Sequence, residues 1–171
     1  MLARVHALYV FSVWLHILAA TTWVGGMAFL VLVVVPYLRS GDRQRGAALL
    51  RDTGTRFRNV GWTCFAIVLV TGTFNLHARG VRLSDLTQLA WLGSETGRAV
   101  ILKLTLFALV LALSGVHDFF VGPAATRAIE RDPRAPEAER YRKMASWMGR
   151  ITALLALGLV FAGVVIVRGW P

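Results

Sequence analysis

The chain is 171 residues long, 56% of them hydrophobic and only 16% charged, and its formal net charge is +10. A soluble domain of this size scatters its charges, whereas here they fall between long apolar runs, which excludes an ordinary water-soluble fold. The lone Cys64 excludes an internal disulfide, and basic runs without interleaved stacking aromatics argue against a nucleic-acid partner.

A helix rises about 1.5 Å per residue, so roughly 20 apolar residues cross a ~30 Å hydrocarbon core. Four stretches meet that requirement, at about residues 9–35, 60–76, 99–121 and 151–167. They predict an all-α fold, an integral membrane four-helix bundle embedded in the lipid bilayer, with residues 1–171 forming a single transmembrane domain. The first stretch follows Arg4 but is too long for a signal-peptide core, so it reads as a retained helix. Within it His16 lies ten residues past His6, about 15 Å deeper. Loop one, residues 36–58, then carries Arg39, Arg43, Arg45, Arg51, Arg56 and Arg58.

The second stretch is the shortest and holds Cys64 as a packing residue. It ends with Thr71 and Asn75 one turn apart on one face and His77 on another flank. Loop two has only Arg79 and Arg82, plus an aromatic-apolar patch at residues 89–92 suited to the membrane interface near Trp91. On the third stretch Lys103 and Ser114 are eleven residues apart and nearly eclipsed, and His117 lies within about 40° of their line, so one face is polar and should point inward. Two plainer readings stand beside this: Lys103 is near enough to the outer end to snorkel, and an interfacial hydrogen bond to Asp118 accounts for His117. Residues 131–137 contain two prolines and read as a solvated linker, and residues 137–144 as a cytoplasmic extension of the fourth helix.

Loop three carries Arg127, Arg131, Arg134, Arg140, Arg142 and Lys143. The positive-inside bias therefore places loops one and three in the cytoplasm and makes the bundle N-out and C-out. His6, His16, His77 and Lys103 then fall in the outer half of the membrane and His117 in the inner half. Gly25, Gly26, Gly61, Gly72, Gly115, Gly149, Gly158 and Gly163 mark close helix contacts, or room for a flat cofactor, with Gly72 and Gly25 first in that second role.

Two chemistries suit histidines at that depth. Bis-imidazole ligation of haem b needs two histidines on different helices at one level, which His16 or His6 with His77 satisfies, while Arg79, Arg82 and Lys103 suit its propionates. That reading predicts a cytochrome b-like electron-transfer protein, a membrane oxidoreductase exchanging electrons with quinone or another redox protein. Copper is the alternative, with His16 and His77 as the metal ligands and His6 and Met27 along the route, although Cu(I) prefers softer donors than this chain offers. His117 belongs to a second site or to none. Zinc hydrolysis lacks its spacing motifs. A third reading is a non-enzymatic assembly subunit of a membrane complex, and a homo-oligomer is open in all three.

Trp14, His16 and Trp23 through Gly25, Gly26 and Met27 to Pro36 resemble the first helix of the copper resistance protein D (CopD) family. Arg56, Phe57, Arg58 and Asn59, then Thr71, Gly72 and Asn75, resemble its next helix, and Gly97, Arg98, Lys103, Leu104 and Pro123 resemble the following one. The resemblance implies copper handling at the bacterial inner membrane by a bare four-helix module. More distantly the chain is similar to the HemJ-type protoporphyrinogen oxidases, a haem-associated family with a first-helix histidine and a Lys-Leu on the third helix. That likeness singles out His16 and Lys103. The chain departs from the latter family in lacking an aromatic-rich start to loop one, and from the former in carrying His117 where an Asn-like residue is expected.

Overall fold

The structure is a computed structural model describing residues 2–39 and 43–170; the side chains of Arg39, Arg43, Arg45 and Arg51 in loop one lie outside the described set. Helix α1 (Leu2–Phe29) passes through a π-helical turn (Leu30–Val34) into α2 (Val35–Arg39). Next come α3 (Arg43–Ala78), a 3₁₀ turn (Leu83–Thr87), α4 (Leu89–Leu92) and α5 (Glu95–Val116). A second π turn (His117–Val121) leads to α6 (Gly122–Arg131), and α7 (Pro136–Arg168) closes the fold. Four spans are long and apolar enough to cross a membrane: Arg4–Tyr37, Asp52–Ala78, Glu95–Arg131 and Pro136–Arg168.

The helices run well past the apolar stretches that announce them. Residues 43–58, read from sequence as loop, form the first turns of α3, a 36-residue helix, although among the described residues its membrane-crossing stretch Asp52–Ala78 is the shortest of the four, as expected. Charge bars those turns from hydrocarbon but not from helix, since no proline interrupts them. The linker is shorter than the expected 131–137, covering residues 132–135, because Pro136 opens α7, whose first turns form the expected extension of the fourth span.

Both π turns come just before a proline. Val35 N–H bonds back to Leu30 O and Gly122 N–H to His117 O, one residue further than in an α-helix. Pro36 and Pro123 then follow, each without an N–H and with a ring that crowds the carbonyl four residues back. Widening the preceding turn lets the helix continue through the proline rather than break.

Helix α1 packs along α3 and α5 along α7, giving two hairpins that meet through α1 against α7 and α3 against α6. Glycines set the separation within each hairpin. A Cβ on Gly26 would strike the Phe57 ring, one on Gly61 would lie 3.4 Å from Trp23, and one on Gly158 would lie 3.3 Å from Leu106. Gly25 and Gly149 face open space, so the close-contact reading does not extend to them.

The centre of the bundle is aromatic: Trp23 against Phe65 (centroids 4.9 Å apart), Phe65 against Trp62 (5.5 Å) and Phe107 (6.1 Å). Cys64, Val110, Ala19 and Ala156 complete the buried core. Leu32 and Val70, 72% and 69% exposed, show that the outer faces are apolar surface for lipid rather than for water.

Ser94 caps α5 by accepting the Gly97 N–H at 3.0 Å while donating to Trp91 O at 2.6 Å. A Cβ on Gly97 would run into that same Trp91 carbonyl, a backbone atom that cannot step aside. Gly97→Ala should therefore cost about 1–3 kcal/mol in detergent unfolding. Gly25→Ala, by contrast, should stay within about 0.5 kcal/mol. Equal stability of the two variants would contradict the tight turn before α5.

Candidate functional site

Along α1, Ser12, His16, Ala19 and Trp23 recur at helical spacing and form the stripe that faces α3. His16 Nδ1 is 2.9 Å from Thr71 Oγ1, and Thr71 Oγ1 is 2.6 Å from the Ile67 carbonyl oxygen. A hydroxyl has one proton, and Ile67 takes it, so Thr71 accepts from His16 Nδ1–H. The neutral imidazole is thereby fixed as the Nδ1–H tautomer and presents Nε2 as a bare lone pair. The ring rests on α3 at Gly72, where a Cβ would come within 3.2 Å of its Cε1, and the Val68 carbonyl faces it too.

Around this imidazole the polar atoms are unevenly satisfied. Ser12, one turn before His16, is 7% exposed, and its Oγ is buried without a hydrogen-bond partner, as is Oδ1 of Asn75, one turn after Thr71. Lys103 of α5 interacts electrostatically with both His16 and Arg79, and its Nζ lies 3.6 Å from where a Cβ on Gly163 would stand. Arg79 Nε donates to Tyr9 Oη at 3.0 Å, tying the outer ends of α1 and α3 together. All four spans thus contribute to one level of the bundle.

Of the residues singled out from sequence, the structure gathers His16, Lys103 and Arg79. His77 is exposed six residues past Thr71, on another flank of α3, and His6 is exposed ten residues before His16. The side chain that meets His16 from α3 is Thr71. Among the described residues no three His, Cys, Asp or Glu side chains cluster as a metal site. Ser12 was not anticipated, although its one-turn spacing from His16 is the signal that finds it.

His117 lies at the other end of α5. Its Nδ1 is 3.0 Å from Asp118 Oδ1, and Trp62 Nε1 donates to Asp118 Oδ2 at 3.1 Å. Arg58, one turn before Trp62, sits over the Phe119 ring at 5.7 Å. A carboxylate at this depth is thus held by an indole and an imidazole. The Trp62 contact joins residues 56 apart and was not visible in sequence.

Four long apolar helices, interior polar groups at both ends and an apolar outer face define a polytopic membrane protein built as two packed hairpins. The family model for copper resistance protein D matches residues 51–167, and the chain belongs to that family of inner-membrane proteins. The matched region holds Thr71, Asn75, Lys103 and Asp118, whereas His16 precedes it. An uncharacterized protein of Aquifex aeolicus is 33% identical over 91% of this chain and 93% of its own length. Copper resistance protein D of Pseudomonas syringae pv. tomato is 28% identical over 85% of the chain, and copper transport protein CutJ of Bacillus subtilis 28% over 71%. The alignments cover 45% and 21% of those two longer proteins. No solved structure matches the chain at a significant level.

Removing the indole N–H leaves one oxygen of Asp118 unsatisfied. Trp62→Phe should therefore destabilise the protein by about 1–3 kcal/mol in SDS-induced unfolding. Combining it with Asp118→Asn should cost less than the sum of the two single changes. Strict additivity would show that the contact contributes nothing.

Proposed function

We propose that this chain handles copper at the inner membrane and that His16 is the imidazole through which the ion is held in the outer half of the bundle. The observation that supports the reading is the short chain from His16 Nδ1 through Thr71 Oγ1 to the Ile67 carbonyl: with the Thr71 proton on Ile67, the imidazole gives its own to Thr71 and Nε2 is free to ligate. The names of two relatives, a copper resistance protein and a copper transport protein, point to the same metal. Imidazole suits copper, and the hydroxyl of Ser12 is a further polar group one turn away. Met27 and Cys64, the soft donors nearest the bundle centre, pack in or against the aromatic core.

A second reading is favoured by a specific feature, two cations near the site: Lys103, which bears on His16, and Arg79, which bears on Lys103. They suit the carboxylates of a haem b whose single axial ligand is His16, and such a group would supply one-electron chemistry towards quinone or another redox protein. His77, expected from sequence as the second ligand, is exposed on another flank of α3.

Copper titration of the detergent-purified protein, with a spectrum of the same sample, separates the readings. His16→Ala should abolish copper binding, Thr71→Val should weaken it about 10–100-fold by releasing the ring, and His77→Ala should leave it unchanged. Full copper binding by His16→Ala would refute the assignment. An intense Soret band lost in His16→Ala would instead select haem.

A further inference from the structure

Two hydrogen bonds fix how α1 and α3 lie against each other towards the outer end. His16 Nδ1 meets Thr71 Oγ1 at 2.9 Å, and seven residues earlier on α1 the Tyr9 hydroxyl accepts from Arg79 Nε at 3.0 Å. Earlier on α1 thus pairs with later on α3, and midway between the two bonds Ser12 stands opposite Asn75. Both residues lie on the contact faces: Ser12 on the stripe with His16, Ala19 and Trp23, and Asn75 one turn from Thr71 and one turn from Arg79.

This level of the seam is polar and unfinished. Ser12 is 7% exposed, and among the described residues its buried Oγ makes no hydrogen bond. It lacks even the bond to the carbonyl four residues back that Thr22, Thr63, Thr71 and Thr73 all make. Asn75 Oδ1 is buried and unpartnered as well. Two such groups are costly to leave bare inside a membrane bundle. Whatever satisfies both must pair with a hydroxyl, must donate to an amide oxygen, and must fit within about one helical turn, ~5 Å, of the bonded layers on either side. A water molecule meets all three conditions.

We propose that Ser12 Oγ and Asn75 Oδ1 hold water between α1 and α3, and that this hydrated level is the route by which His16 is reached from the outer end of the bundle, past the Tyr9–Arg79 contact. The outer mouth is open to the surface, since Tyr9 is half-buried and Arg79 exposed. Beyond His16 the seam turns apolar at Ala19, Trp23, Cys64 and Phe65, so the route ends at the imidazole. It serves His16 whichever group that imidazole holds.

The test is labelling of the full chain in detergent with a small cationic methanethiosulfonate, which modifies thiols that water reaches. Cys64, buried in the aromatic core, is the internal control and should stay inert. Ser12→Cys should react at least about tenfold faster than Cys64. Adding Tyr9→Phe, which removes the tie to Arg79, should speed that reaction further. Ala19→Cys, on the same stripe beyond His16, should be as slow as Cys64. Ser12→Ala and Asn75→Ala should also be coupled in SDS-induced unfolding, the double variant losing less than the two singles together, because either change already releases the shared water. This alanine pair decides the matter if Ser12→Cys folds poorly.

A Ser12→Cys thiol as slow as Cys64 would overturn the proposal, and coupling in the unfolding cycle would then mark a direct, dry contact between Ser12 and Asn75. Equal labelling of Ser12→Cys and Ala19→Cys would overturn it too, because the whole seam would then be opening. A rate unmoved by Tyr9→Phe would refute the route past Tyr9 and Arg79, and strict additivity of the alanine variants would refute the shared water.

Discussion

Hydrocarbon offers no water to a stranded carbonyl, hydroxyl or charge, and that constraint shapes every polar detail of this bundle. Threonines on the spans answer it locally: Thr22, Thr63, Thr71 and Thr73 each donate to the carbonyl four residues back. At Thr71 this ordinary satisfaction acquires a second consequence. With its proton spent on Ile67, the hydroxyl can only accept, and so it dictates which nitrogen of His16 is protonated. A backbone requirement of α3 thus sets the chemical state of a side chain on α1.

The prolines obey the same rule from the opposite side. Pro123 can give no N–H to the preceding turn, and the π turn at His117–Val121 absorbs the mismatch while helix continues into α6. Asp118 lies inside that widened turn and reaches Trp62 on α3. Between this carboxylate and His16 stand Trp62, Phe65, Phe107 and Trp23, with Phe65 in ring contact with each of the other three. The aromatic core keeps the inner, anionic group apart from the outer, cationic one, so the two ends hold opposite charge without neutralising each other.

The spans and the family resemblance were legible in the sequence because hydropathy and glycine spacing are one-dimensional signals. The polar face of α5 was legible for the same reason: Lys103 and Ser114 recur at helical period, and both lie in the bundle, Ser114 buried and Lys103 half-buried. Helix ends were not, since residues 43–58 are too charged to announce a membrane helix yet propagate one without a proline to stop them. Pairings were not legible either. His16 with Thr71 spans 55 residues and Trp62 with Asp118 spans 56, and although helical period set His77 on another flank, nothing in the sequence named Thr71 as the partner of His16. Rotation about the helix axis decides such pairings, and it is set by which glycine each ring covers: Gly72 under His16 and Gly61 under Trp23.

That rotation also explains how a basic residue can be tolerated beside an imidazole. The ring's Nδ1 edge and its Cε1 are turned into α3, so only Nε2 is left to a ligand. Lys103, approaching from α5 with Gly163 behind it, bears on the imidazole without donating to it. The two groups share a level without sharing a hydrogen bond. A lone pair and a cation are thus held apart on opposite hairpins. Packing within each hairpin can keep those groups in place before any ligand arrives.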